Sequence, residues 1–209
     1  KNLYSITLSL SDKLDTLVGF FGLNLIPTGS KDPYALRRFT IALVRLIIEN
    51  KINIKLRSII NYSLTLYKEQ GFEFDITKVL KDLNNFILDR LKNYSKEKDI
   101  RLDIIESSIL SNDIDDLYNG YKKAETLNRN IKKELGQGVV EIYKRSFNIL
   151  SNEIKKNKLE LSNSVDTGLF KNDFEKKLYK KIQEIKKYYL NVEKNDDFEQ
   201  SLKELFKFR

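Results

Sequence analysis

Apolar residues recur at spacings of three and four along almost the whole chain, with lysine, asparagine, glutamate and aspartate between them. That period marks one face of an α-helix. Only two prolines and eight glycines interrupt it in 209 residues, so the sequence predicts an all-α protein. A first helix is expected over about 3–20, with Leu10, Leu14, Leu17 and Phe21 on one face. A loop over 22–30 with Pro27 and Gly29 follows, and Asp32 and Pro33 read as the N-cap and first residue of the next helix, 33–50. That helix is apolar on most sides, which predicts the most buried element, and Arg38, Arg45 and Glu49 form its narrow polar stripe. Helices over 54–70 and 75–95 come next, the latter capped by Asp75 with Val79, Leu80, Leu83, Ile87 and Leu91 inward.

The polar stretch Asn93 to Asp99 and the cluster Ser111-Asn112-Asp113 are the best breaks in the chain, and they place a domain boundary near 112, giving 1–111 and 112–209. Beyond it the pattern predicts a helix over 114–134, a turn at Gly136-Gln137-Gly138 and a helix over 139–156 with Val139, Tyr143, Phe147, Leu150 and Ile154 as its core face. A polar loop over 157–168 leads to a helix over 172–190, with Phe174, Leu178, Ile182, Ile185 and Tyr189 inward. The last helix, from Asp197, is expected to leave an open apolar strip of Phe198, Leu202, Leu205 and Phe206. No apolar run approaches the ~20 residues of a membrane-spanning helix. With Lys1 first and no methionine anywhere, the chain is expected to be a piece of a longer polypeptide.

Composition removes much chemistry. Histidine and cysteine are both absent, which excludes disulfides, thiolate nucleophiles, imidazole bases and the usual zinc sites. The net charge of +8 is unevenly placed: residues 121–209 hold 21 Lys and Arg against 14 Asp and Glu, whereas residues 1–120 are nearly balanced. A basic helical domain suits a polyanion such as RNA, although the same lysine richness also makes ordinary solvated surface.

The helix over 139–156 is the first candidate site. Lys144, Arg145, Asn148, Asn152 and Lys155 lie opposite its apolar face, and cations beside amides are what RNA recognition uses for phosphates and base edges. Lys122, Lys123 and Arg129 rank next, and Lys176, Lys180 and Lys187 form a plainer basic stripe. In PTGSKDPYALRR, Lys31, Arg37 and Arg38 are candidate contacts for RNA or a partner subunit; the alternative is a capped helix start with Arg37 or Arg38 pairing to carboxylates. The segment lacks the phosphate-loop frame, and Asp32 would repel an anion.

The run Ser11 to Arg38, SDKLDTLVGFFGLNLIPTGSKDPYALRR, followed in order by FILDRLKNYSKEKDIRLDIIES and YKRSFNIL, resembles bacterial glycyl-tRNA synthetase beta subunits. The resemblance implies the later part of an HD-like helical domain over 1–111 and a helical-bundle anticodon-binding domain over 112–209. Lys144, Arg145 and Asn148 match that domain's KR-x-x-N-I pattern. It further implies a cytoplasmic aminoacyl-tRNA synthetase, a ligase whose ATP and magnesium serve a separate alpha subunit. This chain is then expected to hold no cofactor or metal, to be inactive alone, and to have tRNA(Gly), the alpha subunit and the rest of the beta subunit as partners, with no membrane. Asp12 and Asp15 resemble the late aspartate of HD-type phosphohydrolases, but the histidines of such a site are missing. A degenerate HD-type hydrolase and a structural scaffold without RNA affinity are the alternatives.

Overall fold

The computed structural model describes residues 2–109, 114–157, 165–194 and 197–206, and among these the regular secondary structure is helical apart from an isolated Thr28–Lys31 bridge. The all-α expectation holds. No described helix is long and apolar enough to cross a membrane. The chain forms two compact units, Lys1–Glu125 and Thr126–Arg209, dividing within a helix over Leu117–Ile131. The expected boundary near 112 lies outside the described residues.

The first unit contains α1 (Leu3–Gly22), α2 (Leu36–Glu49), α3 (Leu56–Glu69), α4 (Ile76–Glu97), α5 (Leu102–Ile109), a 3-10 turn (Ile114–Asp116) and the start of α6 (Leu117–Ile131). As the apolar pattern requires, α2 is largely buried, packed against α1 and α4; the helix that meets the most neighbours is α4, which touches α1, α2, α3, α5 and the 3-10 turn. Leu17 and Val18 of α1, Leu43, Val44 and Ile47 of α2, and Leu83, Ile87 and Leu91 of α4 are all but inaccessible. Burial of each Leu or Ile side chain contributes about 1.5–3 kcal/mol. The expected faces of α1 and α4 are the observed ones, except that Leu80 is half-buried.

One device ends four of these helices. Asn24, Lys51, Gly71 and Asp99 adopt left-handed φ of 58°, 56°, 89° and 58°. The amides that follow, from Leu25, Ile52, Phe72 and Ile100, donate to carbonyls five residues earlier at 2.9–3.0 Å. Each helix thus closes on its last turn and sends an apolar residue back toward it.

Two elements differ from expectation. Helix α2 starts at Leu36, three residues late, because Asp32-Pro33-Tyr34-Ala35 closes a turn first, Ala35 N–H donating to Asp32 O at 3.1 Å. Pro33 sits in that turn, and Ala35 takes the left-handed conformation, φ 57°. Helix α5 was not expected as a separate element; its Ile104, Ile105, Ser108 and Ile109 are buried.

Tyr94 of α4 and Tyr121 of α6 pack with ring centroids 5.7 Å apart. Burial, then Glu125 and Tyr94, push the Tyr121 hydroxyl up to about 12, and burial followed by the Glu49 charge raises Tyr94. Above about pH 10 the unfolded chain releases these protons before the folded one does. The stabilisation is therefore whole below about pH 10 and lost as pH rises toward about 12. Melting temperature followed by circular dichroism should fall through that window, and Tyr121→Phe should flatten the fall.

The second unit holds the end of α6, then α7 (Glu134–Asn157), a 3-10 turn (Thr167–Leu169), α8 (Asp173–Lys194) and α9 (Phe198–Phe206). The glycines expected to make a turn lie inside α7. Gly136 faces the backbone of α6, where a Cβ would overlap Asn130 O and press on Ile131, so the missing side chain serves close approach of two chain segments. Helix α8 opens on a reciprocal cap: Glu175 N–H donates to Asn172 Oδ1 at 3.0 Å, and Asn172 N–H to Glu175 Oε2 at 3.3 Å. Helix α9 packs on α8 and α7, with Phe198 and Ser201 buried and Leu202 and Leu205 half-buried. Its expected open strip is therefore largely covered; the Phe206 side chain lies outside the described residues.

Candidate nucleic-acid interface

Helix α7 supplies the densest group of candidate side chains. Its residues 141–150 are all exposed, as are Asn152 and Lys155. At about 100° per residue, Lys144, Asn148 and Lys155 fall on one face, with Arg145 and Asn152 at its border. The structure thus brings Lys144, Arg145, Asn148, Asn152 and Lys155 together along one solvent-facing side of a single helix.

The opposite face corrects the sequence reading. Tyr143, Phe147 and Leu150, expected in a core, are 66%, 54% and 45% exposed, while Val139 and Ile154 are half-buried. The Tyr143 and Phe147 rings stack on each other, centroids 5.9 Å apart and planes 21° from parallel. Period-four spacing made this stripe visible and suggested burial; what covers a stripe is a tertiary property that spacing does not carry. The two rings are the functional candidates that sequence reasoning missed, and aromatic side chains interleaved with cations were the signal available to find them.

The inward face predicted for α8 is also open. Phe174, Leu178 and Ile182 are 82%, 56% and 42% exposed, and Ile185 alone of that set is seen buried; the Tyr189 side chain lies outside the described residues. Lys176 pairs with Asp173 at 3.7 Å, and Lys180 and Lys187 are exposed.

The remaining candidates are placed elsewhere. Lys122 and Lys123 are half-buried and belong to the first unit. Arg129 belongs to the second unit and pairs with Glu199 at 3.6 Å, an exposed ion pair worth little. Lys31 and Arg38 are exposed, whereas the Arg37 guanidinium donates to Gly29 O at 2.6 Å and so fastens the loop to the start of α2. The Asp32 carboxylate accepts from the amides of Leu36 and Arg37 at 2.8 and 3.0 Å. Donors that a phosphate cradle would need are thereby already used. Of the two arginines, either of which could have paired with a carboxylate in the capped-start reading, Arg37 meets a carbonyl.

Asp12 and Asp15 do not converge on a metal-binding group. Asp12 lies beside Lys13 at 3.9 Å, and the Asp15 carboxylate accepts from Ser63 Oγ at 3.2 Å and Tyr67 Oη at 3.4 Å. Among the described residues no three acidic side chains gather as a cation site would require.

Comparison with known proteins covers both units. Residues 1–110 match the family described as glycyl-tRNA synthetase beta subunit. The glycine–tRNA ligase beta subunit of Clostridioides difficile (strain 630) is 34% identical over 181 residues, 87% of this chain and 25% of that protein. That of Rickettsia prowazekii (strain Madrid E) is 33% identical over 195 residues, 93% of this chain and 27% of that protein. That of Cereibacter sphaeroides (strain ATCC 17023) is 34% identical over 179 residues, 86% and 26% of the two chains. The chain spans about a quarter of the length of the curated relatives it matches.

Proposed function

Because the chain belongs to the glycyl-tRNA synthetase beta-subunit family, we propose that it is a non-catalytic, tRNA-holding part of a glycine–tRNA ligase. On this reading residues 1–111 are the later part of an HD-like helical domain and residues 112–209 a helical anticodon-binding domain. The chain positions tRNA(Gly) and engages its anticodon arm for ATP-dependent glycylation in the cytoplasm. Adenylation and transfer belong to an alpha subunit with ATP and magnesium, and the rest of the beta subunit completes the assembly.

The observation that carries the reading is the exposed middle of α7, where Lys144, Arg145, Asn148, Asn152 and Lys155 flank a stacked, exposed pair of rings. Lysine and arginine hold phosphates, asparagine offers both a donor and an acceptor to base edges, and Tyr143 and Phe147 offer flat surface to unstacked loop bases. Anticodon-loop nucleotides present all three features at once. Lys31 and Arg38, exposed on the first unit, are contacts for RNA or a partner subunit; Arg37, already fastened to Gly29 O, is a weaker candidate for the same role. Lys122, Lys123 and Arg129 add positive charge around α6.

Titration of the chain with tRNA(Gly) and with a non-cognate tRNA at about 50 and 200 mM salt tests the proposal. The cognate tRNA should bind more tightly, and both affinities should fall with salt. Replacing Tyr143 and Phe147 by alanine should remove about 1–3 kcal/mol per stacked base and leave the salt slope unchanged, since no charge is lost. Equal affinity for the two tRNAs would reduce the face to a non-specific polyanion surface. No binding at the lower salt would contradict the proposal.

A further inference from the structure

Gly19 and Gly22, three residues apart on α1, each seat an aromatic ring from the segment that ends α3 and leads into α4. A Cβ on Gly19 would overlap Tyr67 Oη, and one on Gly22 would overlap the Phe74 ring. The GFFG sequence therefore lets two rings lie directly on the helix. Tyr67, Phe72 and Phe74 pack together with centroids 5.4–5.8 Å apart. With Asp15, Gly19 and Phe20 of α1 they line an open pocket of about 270 Å³.

Among the described residues that line it, the charged group is Asp15. Its carboxylate accepts from Ser63 Oγ, the Tyr67 hydroxyl is shared between the Asp15 carbonyl at 3.2 Å and the carboxylate at 3.4 Å, and among the described residues no lysine or arginine pairs with it. Burial, with the neighbouring Asp15 charge and hydrogen bond, raises the Tyr67 hydroxyl above its ordinary range, so Tyr67 stays a neutral donor to Asp15. An anion at the rim of a ring-walled pocket repels phosphate and attracts a cation carried on an apolar stem.

We infer that this pocket receives an arginine side chain offered by a polypeptide partner, its aliphatic stem over Phe72 and Phe74 and its guanidinium on Asp15. Arginine suits the site because its planar head both forks onto a carboxylate and lies flat on aromatic rings. Phe72, 42% exposed, leaves the ring wall open to such an approach. The matched relatives are named as subunits and are about four times as long as this chain, so proteins of this kind carry ample further polypeptide surface to supply the residue. The site is separate from the cationic face of α7, and its failure would leave the tRNA reading intact.

Aromatic ¹³C correlation spectra of the chain, titrated with N-acetyl-arginine methylamide and in parallel with N-acetyl-leucine methylamide, test the site. The arginine probe should give saturable shifts at Tyr67, Phe72 and Phe74 and bind at least about 5-fold more tightly than the leucine probe. Asp15→Asn should remove most of that preference. Phe72→Ala, at an exposed ring, should weaken the arginine probe and keeps the test decisive if Asp15→Asn perturbs the fold. Equal affinity for both probes, or an unchanged preference in both variants, would overturn the inference. In an intact glycine–tRNA ligase containing this chain, a photoreactive side chain at position 72 should cross-link to a peptide containing arginine; capture only of peptides lacking it would overturn the polypeptide source.

Discussion

Replacing Lys144 and Arg145 together by glutamate is expected to weaken tRNA(Gly) binding by about 10- to 100-fold at moderate salt while leaving the chain folded. Both side chains are exposed on α7, so their loss removes no packing. Two positive charges become two negative ones beside the phosphates they would otherwise neutralise. Each lost phosphate contact should also flatten the dependence of log affinity on log salt by roughly 0.7 to 0.9. Unchanged affinity at matched salt, with circular dichroism unaltered, would make this face solvated surface only.

The second large effect is on stability. Gly136→Ala is expected to destabilise the unit Thr126–Arg209 by about 1–3 kcal/mol, because the new methyl meets backbone and not a side chain that could swing aside. Asn130 O and the Ile131 backbone belong to the last turn of α6, which must then separate from the start of α7. Gly120→Ala is the control. Its Cβ would meet Ile109 at 3.5 Å and Ser108 O at 3.9 Å, both ordinary contacts, so removing a helical glycine there should add about 0.4–1 kcal/mol. Urea unfolding of the two variants should move the midpoint in opposite directions.

How far the fold was legible varied with what each signal reports. The faces of α1 and α4 were readable because four or more apolar residues recur at helical spacing and the opposite sides are polar. Helix α5 was missed because eight residues offer barely two turns of period and follow a polar stretch that reads as a break. Lys51 and Asp99 end helices in the left-handed conformation, a role that sequence marks clearly only where glycine fills it, as at Gly71. Glycine itself misled at 136, since close approach and turning both require a missing side chain.

The candidate interface was legible in its charges and amides and illegible in its rings. Lys144, Arg145, Asn148, Asn152 and Lys155 were placed on one face by helical geometry alone, and all five are exposed. Tyr143 and Phe147 were assigned to a core because an apolar stripe normally implies a neighbour, and only the packed structure shows that stripe open. The same inference failed for Phe174 and Leu178 of α8 and, in the opposite sense, for Phe198 of α9, which is buried.

Nuclease protection of tRNA(Gly) by this chain tests the central claim most directly. Anticodon-loop nucleotides should be shielded by the parent protein and released when Lys144 and Arg145 are both replaced by glutamate. Shielding confined to other parts of the tRNA, or anticodon shielding that survives the double replacement, would contradict the placement of the RNA site on α7.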